Sequence, residues 1–140
     1  MKQGPILAVL VVAAYLGFEI FAVTKVAYRV EPVYIFERFV AMDRAMSRCG
    51  KPAPDVQSRF TRNRRSVRQR AELELGEENP EKTPQAIERM LAETVQSQEE
   101  RVDALIDQLG CDDIEIFKLT RSYENRARLN IVAPVGASEG

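Results

Sequence analysis

Residues 5–23 read PILAVLVVAAYLGFEIFAV, nineteen positions with one charge, Glu19. At about 1.5 Å of rise per residue, ~20 apolar residues in a helix cross a hydrocarbon core of roughly 30 Å. Lys2 precedes the run, Lys25 and Arg29 follow it, and Tyr28 falls where an interfacial aromatic ring belongs. A cleavable signal is the rival reading. Its apolar part would be Pro5–Phe18, and cleavage after Ala22 would leave Ile20 and Ala22 at the −3 and −1 positions, a poor small-x-small site. The expectation is an uncleaved membrane anchor helix within residues 1–28.

A carboxyl in hydrocarbon is costly unless protonated or paired, so Glu19 points to a partner helix or, being off-centre, to the interface. Ala13 and Gly17 lie four apart and form a small-xxx-small notch where another helix can approach closely. Notch and carboxyl together favour lateral association with other membrane subunits over passive anchoring.

The rest of the chain reads as helices. Pro32 opens VYIFERFVAMDRAMSRCG, in which Ile35, Phe39, Met42 and Met46 recur at helical spacing, broadened by Phe36 and Val40. Asp55 stands as an N-cap for a second helix through Val56, Phe60, Val67, Ala71 and Leu75, with Arg64 interrupting the stripe and Gly76 ending it. Thr83 caps a third helix whose Leu91, Val95, Gln98, Val102, Leu105 and Leu109 alternate four and three apart, the spacing of a coiled-coil seam. Gly110 stops it, and Asp112 or Asp113 starts a fourth through Phe117, Thr120, Tyr123 and Ala127. No segment alternates with period two long enough to propose a sheet. The expected fold is all-α: one transmembrane helix, then an antiparallel up-down bundle of about four helices over 29–132, then a disordered tail over 133–140.

Cys49 stands at the end of the first bundle helix and Cys111 just past the end of the third. In an up-down-up-down bundle those ends coincide. A hairpin of the two long helices turning near residues 79 and 80 also sets residue i level with 159−i, which brings Cys49 beside Cys111. C-x-x-C spacing is missing and His is absent, so redox and metal readings lack their ligands. A Cys49–Cys111 disulfide is expected, and with it an oxidising compartment, in preference to two buried cytosolic thiols. The basic residues argue the other way. Only Lys2 precedes the span while Lys25, Arg29 and Arg38 follow, which by the positive-inside tendency puts the domain in the cytoplasm. The cysteines rank higher, so a periplasmic domain on a bacterial inner membrane is expected.

Residues 59–70, RFTRNRRSVRQR, hold six arginines and no acid; ELELGEENPE, residues 72–81, holds five carboxylates and no base. That order opposes the helix dipole, so the charges serve contacts outside their own helix. The 159−i register sets Arg59 beside Glu99, Glu100 and Asp103 but leaves Arg62, Arg65 and Arg68 opposite Ser97, Thr94 and Leu91. These three therefore read as a ridge for an acidic partner protein, with a merely solvated face and an anionic lipid or phosphate surface as alternatives. Nucleic acid is disfavoured by the net charge of −1, with 20 Lys+Arg against 21 Asp+Glu, and by Phe60 being the one stacking group in the run. No nucleotide-binding, nucleophile-elbow or zinc-protease motif occurs, and a carboxylate di-metal bundle needs Glu-x-x-His. The sequence thus suggests a non-catalytic accessory or scaffold subunit of a membrane complex, without cofactor or metal. The alternative is a cytosol-facing adaptor that binds anionic lipid or nucleic acid through 59–70.

Overall fold

The computed structural model describes residues 31–134, which form four helices: α1 (Pro32–Cys49), α2 (Pro54–Glu78), α3 (Pro84–Leu109) and α4 (Ile114–Ala127). Among the described residues there is no strand, and no helix is long and apolar enough to cross a membrane. The anchor expected over 1–28, with Ala13, Gly17 and Glu19, lies outside the described residues, as does the tail past Pro134.

Proline occupies the first turn of α1, α2 and α3, where its missing N–H is not needed and its fixed φ suits the helix. The Thr83 side chain accepts from the Ala86 N–H and the Asp113 side chain from the Glu115 N–H, so both expected caps are in place. Two boundaries differ from expectation. Ala53 is the N-cap of α2, and Asp55 sits inside its first turn, where a carboxylate favours the positive end of the helix. Gly76 does not stop α2, which runs on to Glu78; Asn79 ends it, its Nδ2 donating to the Leu75 carbonyl at 2.9 Å. The start of α1 has no side-chain cap from Glu31, and α2 supplies one: Glu74 Oε2 accepts the Val33 N–H at 3.1 Å. That contact accounts for one acid of the run after Arg70.

Cross-helix pairs give the directions. Glu74 meets Val33 and Arg64 meets Asp43, so α2 is antiparallel to α1. Arg44 meets Asp103 and Arg48 meets Asp107, so α3 runs parallel to α1. The up-down-up-down order holds, but its centre is α1. This helix packs against each of the other three, while α2 and α3, joined by a short turn, touch only sparsely. The long hairpin is therefore not the closely packed pair that the 4-3 spacing suggested.

The larger core cluster gathers Phe36, Phe39, Val40, Met42 and Met46 of α1 with Phe60, Val67, Ala71 and Leu75 of α2, Ile87 and Leu91 of α3, and Tyr123 and Ala127 of α4. Phe60 stacks on Tyr123 with ring centroids 3.7 Å apart and on Phe39 at 5.1 Å. A smaller cluster of Ala41, Ala45, Val102, Ile106 and Ile116 lies where Cys49 packs. In α3 the buried line is Ile87, Leu91, Val102 and Ile106, and Leu109 is exposed. The stripe follows the 3.6-residue helical period against α1 rather than the 3.5-residue seam of a coiled coil. In α4 Tyr123 and Ala127 are buried as expected, and only the first turn differs, with Ile116 buried and Phe117 exposed.

Asn63, wholly buried, had no place in the apolar stripe read from the sequence. Its Nδ2 donates to the Arg126 and Leu129 carbonyls at 2.8 and 2.7 Å, and its Oδ1 accepts the Ile131 N–H at 3.4 Å. One side chain of α2 thus closes the end of α4 and pins the chain that follows.

Two consequences are measurable. Asn63→Ala leaves the Arg126 carbonyl its Leu129 N–H but strips the Leu129 carbonyl and the Ile131 N–H of this partner. A buried unsatisfied group costs about 1–3 kcal/mol, so unfolding free energy should fall by about 2–3 kcal/mol. Denaturant titration reads that loss, and hydrogen exchange should rise at residues 129–131. The Tyr123 phenol is pushed up to about 12, chiefly by burial and further by Asp43, against an opposing effect of Arg64. Its neutral form is favoured in the folded state, so its contribution is complete below about pH 10 and disappears as pH rises toward 12. A phenolate absorbance step near pH 12 should vanish in Tyr123→Phe, and alkaline unfolding should move to higher pH.

Candidate functional site

The arginine run divides once each side chain is followed to its partner. Arg59 pairs with Asp55 one turn back on α2, not with Glu99, Glu100 or Asp103. Arg64 reaches Asp43 on α1, and Arg68 holds both carboxylate oxygens of Glu88 on α3. Arg70 donates to the Val132 carbonyl at 2.9 Å. Arg62 and Arg65 are exposed and have no ion pair among the described residues. The register had left Arg68 without an acid. It set position 91 level with Arg68, and Glu88 lies less than one turn away, within the span of a long guanidinium side chain.

Asp103 serves α1 instead of α2. Arg44 binds it as a fork, Nε to Oδ1 at 2.8 Å and Nη2 to Oδ2 at 2.6 Å, and Arg48 adds a bond to Oδ1 at 2.8 Å and one to Asp107 at 3.0 Å. The hydrogen bond from Arg44 holds the Asp103 carboxyl below its usual range against the opposing effect of burial, and the bond from Arg48 adds to it. This network fixes the parallel register of α1 and α3.

Where α2 and α3 touch sparsely, a groove of about 480 Å³ opens. Thr61, Arg64, Arg65 and Arg68 of α2 form one wall, and Glu88, Ala92 and Val95 of α3 form the other. Phe36 and Leu91 close the floor and are themselves wholly buried. Arg65 is therefore both part of the exposed ridge and a wall of this groove. Among the described residues no group of three or more acidic or cysteine side chains converges on a metal position.

Cys49 and Cys111 form a disulfide, with Cα atoms 5.5 Å apart, across 62 positions of sequence. Gly110 aims the second cysteine. Its φ of 83° and ψ of 169° lie in a region that only glycine adopts without strain, and they turn the chain out of α3 back toward the end of α1. The neighbouring cluster is built on two alanines and three branched side chains, a thin core for the end where α3 and α4 must be held to α1. Reduction of the bond should therefore lower stability by about 4 kcal/mol on the chain-entropy account of a loop this long. Thermal melts with and without reductant measure it, and the Cys49→Ala/Cys111→Ala protein should melt like the reduced parent.

No protein-family model, curated protein or solved structure matches this chain.

Proposed function

We propose that the chain is a non-catalytic accessory or scaffold subunit of a larger membrane protein complex. It is anchored by a helix within residues 1–28 and docks a partner through Arg62 and Arg65. The observation that carries this reading is the division of the arginine run. Arg59, Arg64 and Arg68 are neutralised by Asp55, Asp43 and Glu88, while Arg62 and Arg65 stand exposed one turn apart without a carboxylate among the described residues. Exposed guanidiniums that do not serve the fold are suited to charge-assisted bonds with another protein. The same division weakens the lipid and nucleic-acid alternative, because phosphate surfaces are held by long tracks of free basic groups. Half of this track is taken up by carboxylates, while Arg70 is tied to the Val132 carbonyl.

Glu19 and the Ala13–Gly17 notch supply a second contact, inside the bilayer, with a helix of the same complex. The disulfide supports an oxidising compartment, hence a domain on the periplasmic side of a bacterial inner membrane.

Arg62→Gln/Arg65→Gln should melt within a few degrees of the parent, since exposed charges contribute about 0–1 kcal/mol each. Its stoichiometric companion in mild-detergent purification should become salt-labile or be lost. Arg68→Gln removes the Glu88 pair and should lower stability slightly while leaving the companion bound. A single band from the parent protein itself, with no companion at any salt concentration, would overturn the subunit reading.

A further inference from the structure

We infer that the groove between α2 and α3 seats an acidic amphipathic helix of a partner protein. Carboxylates one turn apart on that helix meet Arg62 and Arg65, and its small apolar side chains rest on Ala92 and Val95. The inference rests on the docking reading above and adds the place of docking and the chemistry of the occupant.

Charge decides the sign of the partner. Arg64 and Arg68 also line the groove, but Asp43 and Glu88 neutralise their guanidiniums and fix their stems as walls. The unneutralised positive charge of the groove lining is thus that of Arg65, with Arg62 beside it on α2 just outside the lining, while the Arg68–Glu88 pair leaves the other end neutral. Arg62 and Arg65 lie three residues apart, about 4.5 Å along α2, the spacing of side chains at i and i+3 or i+4 on a second helix. A bound helix therefore meets both guanidiniums with one face.

Shape decides between a protein and a lipid tail. The α2 wall runs from Thr61 to Arg68, about 10 Å at helical rise, whereas one leaflet of hydrocarbon is roughly 15 Å deep. Phe36 and Leu91 are wholly buried beneath the groove, so an acyl chain has no slot to sink into. A shallow trough between two helices, walled by Ala92, Val95 and arginine stems, instead suits the ridge of a third helix.

The test uses the full chain in nanodiscs of zwitterionic lipid and two labelled synthetic helices with the same Ala/Leu stripe. One carries Glu pairs at i and i+4, and the other carries Lys at those positions. The Glu helix should bind saturably, at least about tenfold tighter than the Lys helix, and shift the methyl resonances of Ala92 and Val95. Arg62→Glu/Arg65→Glu and, separately, Ala92→Trp should each weaken it about tenfold or more, while Arg101→Glu, an exposed site further along α3, should not. Circular dichroism melts confirm that all three variants are folded. Equal binding of both helices, or indifference to Ala92→Trp, would overturn the groove assignment. So would vesicles of phosphatidylglycerol, but not phosphatidylcholine, protecting Arg62 and Arg65 from arginine-selective modification while the Glu helix fails to bind. Co-purification separates the two claims. A companion lost in Arg62→Gln/Arg65→Gln but retained in Ala92→Trp leaves docking standing and removes the groove, whereas one retained in both removes both.

Discussion

Four consecutive residues of α1, Phe39 to Met42, are buried, and four successive side chains on a helix point around most of its circumference. A helix of this kind has to be enclosed by its neighbours, and α1, at 18 residues, is enclosed by helices of 25, 26 and 14. The remaining geometry follows from that enclosure. Because α2 and α3 each lie on α1, they meet one another only along their edges, over Phe36, and the trough between them is a by-product of what each packs against. Had the two long helices formed a mutual seam, Arg65 would face a different environment.

The polar contacts then select among the ways three helices could slide on a fourth. Asp103 between Arg44 and Arg48 fixes α3, Asp43 with Arg64 and Glu74 on the Val33 amide fix α2, and Asn63 fixes the end of α4. Exposed ion pairs add little to stability, but each forbids a displacement of one turn, which an apolar surface alone tolerates. Segregated charges along α2 make sense in these terms. Arg64 of its basic half meets the middle of α1, Arg68 meets α3 and Glu74 of its acidic half meets the start of α1, so part of the mismatch with its own dipole is offset by contacts across the bundle.

What was legible in the sequence is what depends on neighbours in the chain. Pro32, Thr83, Gly110 and Asp113 mark helix ends through their own backbone chemistry, and the disulfide followed from helix ends and their order alone. What was not legible depends on which helix lies beside which. Asn63 reads as a polar interruption until the Arg126 and Leu129 carbonyls, more than sixty positions away, are brought to it. The acid opposite Arg68 was missed because a register names the residue level with it, not those within reach of its side chain. In α4, Ile114, Ile116, Phe117 and Leu119 put apolar groups on several faces of a short helix, so periodicity does not choose between Ile116 and Phe117; the packing against α1 does. The arginine ridge was legible as a run, but its division into occupied and free guanidiniums required the positions of Asp43, Asp55 and Glu88.

The disulfide also alters how the domain carries a mechanical load. Cys49 closes α1 and Cys111 precedes α4, so tension applied between Glu31 and Pro134 passes along α1, through the sulfur bridge and along α4. The intervening loop, with α2 and α3 inside it, is covalently bypassed, and roughly 200 Å of potential extension is withheld from the pull. The wall helices of the groove lie wholly within that shielded loop. A chain pulled at both ends would lengthen through its first and last helices while the Arg62–Arg65 ridge stays on the slack side of the bridge.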